Sequence, residues 1–302
     1  MANRMLSYAD SSNPANWAPQ GVEPPGSFHS FLPVREHSRR NFLTQSMMAA
    51  GAALGAHVLG AHAEGQSENS MSAAKIPTRD TELKFFPDGR LRAFKGNTVI
   101  CHLQPQGILR DAVSNLAVEL EKLSSHRKIA VLPSESFHMT VYPGANDQDR
   151  EITGWPSDLP MTASIEECSR AIEARMSQFR LQCELPIRMK VDRAATIANY
   201  RASTLRLVGA DDEEEKKIRA IRDRLVDVYH FKDSHHDAYG FHMTLGYQLQ
   251  PFTAAEQQEY RKLYEHHVPL IIEASPVVEF GNPEFCTFPD MHRFDVRKLL
   301  AT

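Results

Sequence analysis

The sequence predicts an α+β protein in which sheet strands and helices form two related lobes. Three observations carry this expectation. The tetrapeptide Phe-His-Met-Thr occurs twice, at Phe137–Thr140 and Phe241–Thr244. Given one copy, chance supplies a second in about one of a thousand sequences of this composition, so an internal repeat is the first explanation. Strand-like and helix-like patterns alternate in each half, each half holds one copy and one long helix, and no long linker separates them.

The chain opens on an address rather than a fold. Residues 1–34 are rich in Pro, Ser, Asn and Gly and predict disorder. Ser38 to Gln45 (SRRNFLTQ) leads into SMMAAGAALGAHVLGA and the small-residue signature Ala61-His62-Ala63. A charged region, a moderately apolar stretch and an A-x-A site predict an export signal over residues 1–63. The pair Arg39-Arg40, followed by Phe42 and Leu43, resembles a twin-arginine signal and points to the periplasm. Residues 64–79 read as a linker, and residues 80–302 as the two-lobed domain.

Within that domain each element has its own signal. Gly96 to Leu103 (GNTVICHL) reads as a strand opened by a Gly-Asn turn. Asp111 to Leu123 has apolar residues at helical spacing behind an acidic start. KIAVLP and FHMTVY are short strands, followed by the turn-rich PGANDQDREITGWPSDLP. Ser164 to Phe179 carries a Ser-x-x-Glu capping signature and an amphipathic pattern. PIRMKVDRA and STLRLVGA are strands that can pair with each other. DDEEEKKIRAIRDRLVDVYH stacks acids at a helix start and sets Ile218, Ile221, Leu225 and Val228 on one face. FHMTLGYQL is a strand and AAEQQEYRKLYEHH a helix. LIIEA, VVEFG and a frayed tail close the chain.

Side chains alternate along a strand, so Phe137, Met139 and Val141 share one face, with His138, Thr140 and Tyr142 on the other. The second copy sets Phe241, Met243 and Leu245 against His242 and Thr244. If the halves are related by an approximate two-fold, two imidazoles and two hydroxyls meet in one cleft. That set suits a tetrahedral anion. One neutral histidine can take a proton and the other, protonated, can give one, both near neutrality. The hydroxyls can hydrogen-bond the non-bridging oxygens. This chemistry calls for no metal or cofactor, and no acidic cluster stands ready to hold one.

The paired His-x-Thr strands resemble the two-histidine (2H) phosphoesterase superfamily, which includes cyclic nucleotide phosphodiesterases and RNA 2′-5′ ligase-like proteins. FKGNTVICHL, FHMTVYPG with its downstream Trp-Pro, and YGFHMTLGYQL resemble a branch of it that carries a domain-of-unknown-function label. The similarity runs from about Phe94 to the C-terminus, with the motif pair as its specific part. The resemblance implies a bilobal fold with the motif strands lining a central cleft. It also implies metal-independent chemistry on phosphoesters, often 2′,3′-cyclic phosphates. The carried roles are acid and base for His138 and His242, and phosphate binding for Thr140 and Thr244. The export signal departs from the superfamily's intracellular RNA-processing members. A cleft that captures a phosphorylated ligand without turnover is the alternative function.

Weaker candidates surround this set. Tyr142 and Tyr247 sit near the strand ends, where they can line the cleft or simply pack. Arg150 and Trp155, in the loop after the first motif, can contact a phosphate and a base, although a solvated Arg and a loop-anchoring Trp are the plainer reading. His102 reads as a structural histidine. His230, His235, His236 and Asp237 lack the spacing of a helical His pair for zinc. Cys101, Cys168, Cys183 and Cys286 are too widely spaced to read as a metal motif or dense disulfide scaffold. A formal charge of −4 advertises no long nucleic-acid groove, and no apolar run reaches membrane-spanning length. The expected partner of this monomer is a small phosphorylated or nucleotide-like substrate, with no stable membrane anchor.

Overall fold

Met139 and Met243 pair across the centre of the sheet, and the architecture is built outward from the strands that carry them. A computed structural model describes residues 76–198 and 203–302. The export-signal reading of residues 1–63, and the linker reading as far as residue 75, lie outside these.

The two motif strands are β3 (His138–Asn146) and β6 (His242–Gln248). β3 is followed outward by β1 (Gly96–His102), β8 (Glu284–Phe288) and β9 (Asp295–Leu299). β6 is followed by β5 (Ser203–Gly209), β4 (Ile187–Val191) and β7 (Val278–Phe280). Each motif strand thus heads its own four-strand wing, which is the two-lobed arrangement the repeat predicts. β2 (Ile129–Val131) pairs with β6 off this path, giving nine strands among the described residues. The expected pairing of PIRMKV with STLRLVG is present as antiparallel β4 and β5.

The contact between the wings is narrow. β3 and β6 are paired at Met139–Met243, while β2 takes the far half of β6, with Ala130 opposite Tyr247. The sheet therefore forks at its centre, and the fork opens the space that the motif side chains face.

Behind the motif strands lies the core. Phe137, Met139, Val141 and Leu245 are fully buried, with Phe241 and Met243 nearly so. Each such side chain contributes about 1.5–3 kcal/mol by leaving water. α5 (Asp212–Tyr229) packs on β3, β4 and β5, turning Ile218, Ile221 and Leu225 fully inward. Its start is fixed by the Asp211 side chain, which accepts from the backbone N–H groups of Glu213 and Glu214. α3 (Ile165–Met176) carries the expected capping box of Ser164 and Glu167 and packs on β1, β3 and α5. α2 (Ile108–Leu120) and α6 (Ala254–Ala274) pack on each other, and α4 (Arg193–Ala198) sits on α6 and β5.

Three segments differ from expectation. LIIEA is no separate element: α6 runs through Pro269 to Ala274, its Thr253–Glu256 capping box fixing the start. The tail is not frayed but forms the β8–β9 hairpin, which completes the wing beyond β1. A short helix, α1 (Arg79–Lys84), stands where the linker reading gives way to the domain, capped by Thr78. None of the helices among the described residues is long and apolar enough to cross a membrane.

Candidate active site

The antiparallel sense of the Met139–Met243 pair sets His138 beside Thr244 and Thr140 beside His242. All four side chains line one cavity of about 260 Å³ at the fork between the wings.

The two histidines are held in the same way. The Nδ1–H of His138 donates to the Ser136 carbonyl at 2.6 Å, and that of His242 to the Gly240 carbonyl at 2.9 Å. A carbonyl can only accept, so each neutral ring keeps its proton on Nδ1 and leaves the Nε2 lone pair for the cavity. Burial pushes the His138 imidazole down to about 3, with the Lys84 ammonium adding to the fall and the Ser136 carbonyl opposing it. Burial also lowers His242, assisted by Arg206 and Lys84 and opposed by the Gly240 carbonyl and Asp80. Both rings are therefore neutral near pH 7 in the empty site.

The repeat reaches past the tetrapeptide. On β1, Val99 pairs with Tyr142 and Ile100 with Thr140, which leaves Val141 as an extra residue on β3. On β5, Ser203 pairs with Gly246 and Thr204 with Thr244, which leaves Leu245 extra on β6. Both motif strands thus bulge three residues after the histidine. A bulge reverses the alternation beyond it. Tyr142, expected on the His138 face, is turned back and fully buried, stacked on Tyr229 at 4.7 Å with its hydroxyl donating to the Phe231 carbonyl at 2.6 Å. It does not line the cavity. The residues five beyond each histidine, Pro143 and Tyr247, do.

Arg150 also lies elsewhere. Its guanidinium donates to the Met161 and Ala163 carbonyls at 2.6 Å, pairs with Asp147 and stacks on the buried Trp155 at 4.3 Å. The pair anchors the loop after β3, since the Trp155 indole N–H donates to the Pro160 carbonyl. His102 stands opposite His138 on β1, with ring centroids 6.1 Å apart, and its Nδ1 is paired with the Glu284 carboxylate. The His230–Asp237 segment, whose spacing already spoke against zinc, has separate partners: His236 with Asp223, His230 with Asp158, and Asp237 with Lys232. Among the described residues no three His, Cys, Asp or Glu side chains are grouped to hold a metal ion. The four cysteines are free thiols.

Sequence reasoning missed several walls of the cavity. Tyr239 hydrogen-bonds Thr140, and the fully buried Arg222 stacks over its ring at 4.0 Å. Burial raises the Tyr239 and Tyr247 phenols, so both stay protonated donors. Phe288, Met291 and Phe294 come from the C-terminal segment, Phe294 meeting the His138 ring edge-on at 4.4 Å. Lys84 and Asp80 come from α1. The aromatic spacing of Tyr239 and Phe241 around the second motif was the one local signal for any of these.

A larger depression of about 380 Å³ lies between α3 and the C-terminal hairpin. Its charges are largely matched in the pairs Lys95–Glu166, Arg297–Glu173 and Arg293–Asp295, and it holds no histidine or other proton-transfer group tuned to neutrality. The smaller cavity has the chemistry.

A family model described as "2H-phosphodiest: Domain of unknown function (DUF1868)" matches residues 84–199, taking in His138 and Thr140. No curated protein matches the chain. Among solved structures, the chain is similar to a conserved protein of unknown function from Agrobacterium tumefaciens, with a TM-score of 0.66 and 25% identity over 72% of this chain and 90% of that one. His242 and Thr244 lie beyond the family match, on the strand that the fold pairs with β3. Residues 84–199 thus match a 2H phosphodiesterase family model across the first motif, on a fold shared with that structure.

Proposed function

We propose that the protein is a metal-independent phosphoesterase that hydrolyses a cyclic phosphate or phosphodiester of a small nucleotide-like substrate. The observation that carries this is the convergence of both His-x-Thr pairs on one cavity, each ring tied by Nδ1 to the carbonyl two residues upstream. His138, which burial depresses to about 3, serves as the base. Its Nε2 takes a proton from water as the water oxygen bonds to phosphorus. His242, protonated once the anion has entered, gives its proton to the leaving oxygen as that P–O bond breaks. The product is a phosphomonoester, and solvent exchange returns both rings to their starting states. Thr140, Thr244 and the Tyr239 hydroxyl hold the non-bridging oxygens. The twin-arginine-like segment Ser38–Gln45 supports reading the protein as exported to the periplasm.

The test is turnover of 2′,3′-cyclic nucleotides by the purified protein in excess EDTA, followed by phosphorus NMR, with a bell-shaped pH profile. His138→Ala and His242→Ala should each lower kcat by roughly 10²–10⁴ while circular dichroism stays native. Wild-type rates in both variants would sink the mechanism. One observation favours the alternative of ligand capture without turnover: burial strips the acid's proton from both rings in the empty site. That reading requires phosphate-dependent thermal stabilisation with no product.

A further inference from the structure

Lys84 lies at the end of α1, a helix of six residues, and its ammonium enters the cavity of the two motif pairs. Among the described residues it is the one Lys or Arg that lines this cavity. The side chain is only 14% exposed. It is held between aromatic rings, 5.2 Å from the Phe94 centroid and 5.1 Å from that of Tyr247, with the Tyr247 hydroxyl at 3.4 Å. Its ion-pair partner, Asp80 at 2.8 Å, is four residues back on the same helix and 60% exposed.

The slot between the two rings does not itself require a charge. A thioether of similar length would fill the slot between two rings without desolvating a charge. Burial lowers the ammonium's proton affinity, yet Tyr247 and Asp80 more than reverse this, so Lys84 stays charged throughout the working pH range. Its field reaches both His138 and His242, where it opposes protonation in the empty site. The two other cations nearby are placed differently. Arg222 lies behind β3 and donates to the Val141 and His236 carbonyls, and Arg206 stands opposite His242 on β5 outside the cavity lining.

We propose that Lys84 is a catalytic residue that contacts the phosphoryl group and reads the second negative charge that appears as a cyclic monoanion becomes a dianionic monoester. This deepens, and rests on, the phosphoesterase reading. Hydrolysis of a cyclic diester raises the charge on phosphorus oxygens from one to two as water adds and its proton leaves to His138. The histidines balance the proton count, whereas a fixed cation is what distinguishes the later charge from the earlier one. Lys84 therefore acts more strongly on the transition state and product than on the bound substrate. It also favours substrates whose product is a terminal phosphomonoester.

The experiment compares the wild-type protein with Lys84→Met and Lys84→Arg. Turnover of 2′,3′-cyclic AMP should show kcat falling by roughly 10²–10³ in Lys84→Met with KM moving by less than about fivefold, and Lys84→Arg keeping part of the rate. Binding of adenosine 3′-monophosphate is then titrated at about pH 5 and about pH 8, either side of its second phosphate ionisation near 6. Wild type should favour the dianion at least tenfold, and Lys84→Met should lose that preference while keeping a native circular dichroism spectrum and a cooperative melt. A purely packing role would leave the preference intact. If wild type turns over the cyclic nucleotide and Lys84→Met matches it in kcat and in dianion preference, the assignment to Lys84 fails and the phosphoesterase reading stands. If wild type neither turns over nor binds either nucleotide, both fall.

Discussion

Acid should destabilise this fold through His138 in a way that can be measured without knowing the substrate. The imidazole has an ordinary value of 6.5 and is pushed down to about 3 in the fold, chiefly by burial. Between those values the unfolded chain binds a proton that the folded chain refuses. Stability is therefore fully present above pH 6.5 and is lost progressively as the pH falls towards 3. Proton linkage puts the loss from His138 alone at about 2 kcal/mol between neutral pH and about pH 5. His138→Asn removes the titration and keeps an amide donor for the Ser136 carbonyl. Urea denaturation of both proteins across this range gives the slope of stability against pH, from which any constant cost of the substitution cancels. Wild type should lose about 2 kcal/mol more than His138→Asn on acidification to about pH 5. Adding a second substitution at His242, whose ring burial also lowers, should flatten the curve further. Equal slopes in wild type and His138→Asn, or an NMR titration of His138 near 6.5, would refute the reasoning.

Two other substitutions separate function from fold. Thr140→Val and Thr244→Val each remove a hydroxyl from the cavity and should cost roughly 10² in kcat/KM with little change in melting temperature. Because Thr140 is bonded to Tyr239, Thr140→Val and Tyr239→Phe should combine less than additively, which a double-mutant cycle on kcat/KM reads directly. Gly144→Ala tests the cavity wall. A Cβ there would meet the Asn97 carbonyl oxygen well inside contact distance and lie 2.7 Å from its carbonyl carbon, where backbone cannot yield cheaply. The variant should lose about 1–3 kcal/mol, seen as a lower urea midpoint. An unchanged midpoint would show that the close approach of β1 and β3 at Asn97 is not rigid.

What the sequence made legible was whatever local periodicity controls. Ile218, Ile221, Leu225 and Val228 lie on one face by simple counting, and all are buried. The Ser164–Glu167 box marks its helix because capping is settled within four residues. Lys84 was hidden for the opposite reason. A six-residue helix is too short to be stable by propensity, and α1 is held by distant packing, Phe85 lying 5.1 Å from Tyr247 across the chain. The β8–β9 hairpin was hidden because its outer strand is an edge with Val296 and Leu299 exposed, so no buried face shows in its pattern. Pro269 misled in the same local way, since the helix that contains it is set by packing on α2 and α4.

Tyr142 shows where counting by twos must fail, and the failure is informative. Which residue of a strand goes unpaired is decided by its neighbour, here β1 for Val141 and β5 for Leu245, each brought in from far along the chain. That the same bulge falls at the same place in both copies means the repeat is a longer device than four letters. It comprises a carbonyl two residues before the histidine, the His and Thr, the bulge, and a cavity position five residues on. The copies agree at every step of that frame up to the last, where Pro143 stands in one and Tyr247 in the other. Tyr247 is also the ring that holds Lys84. The two halves therefore diverge at the position that brings a fixed charge into the site. A symmetric pair of histidines cannot by itself tell an attacking oxygen from a leaving one. Lys84, held by Tyr247 with no counterpart at Pro143, supplies an asymmetry of the kind that acid and base roles require.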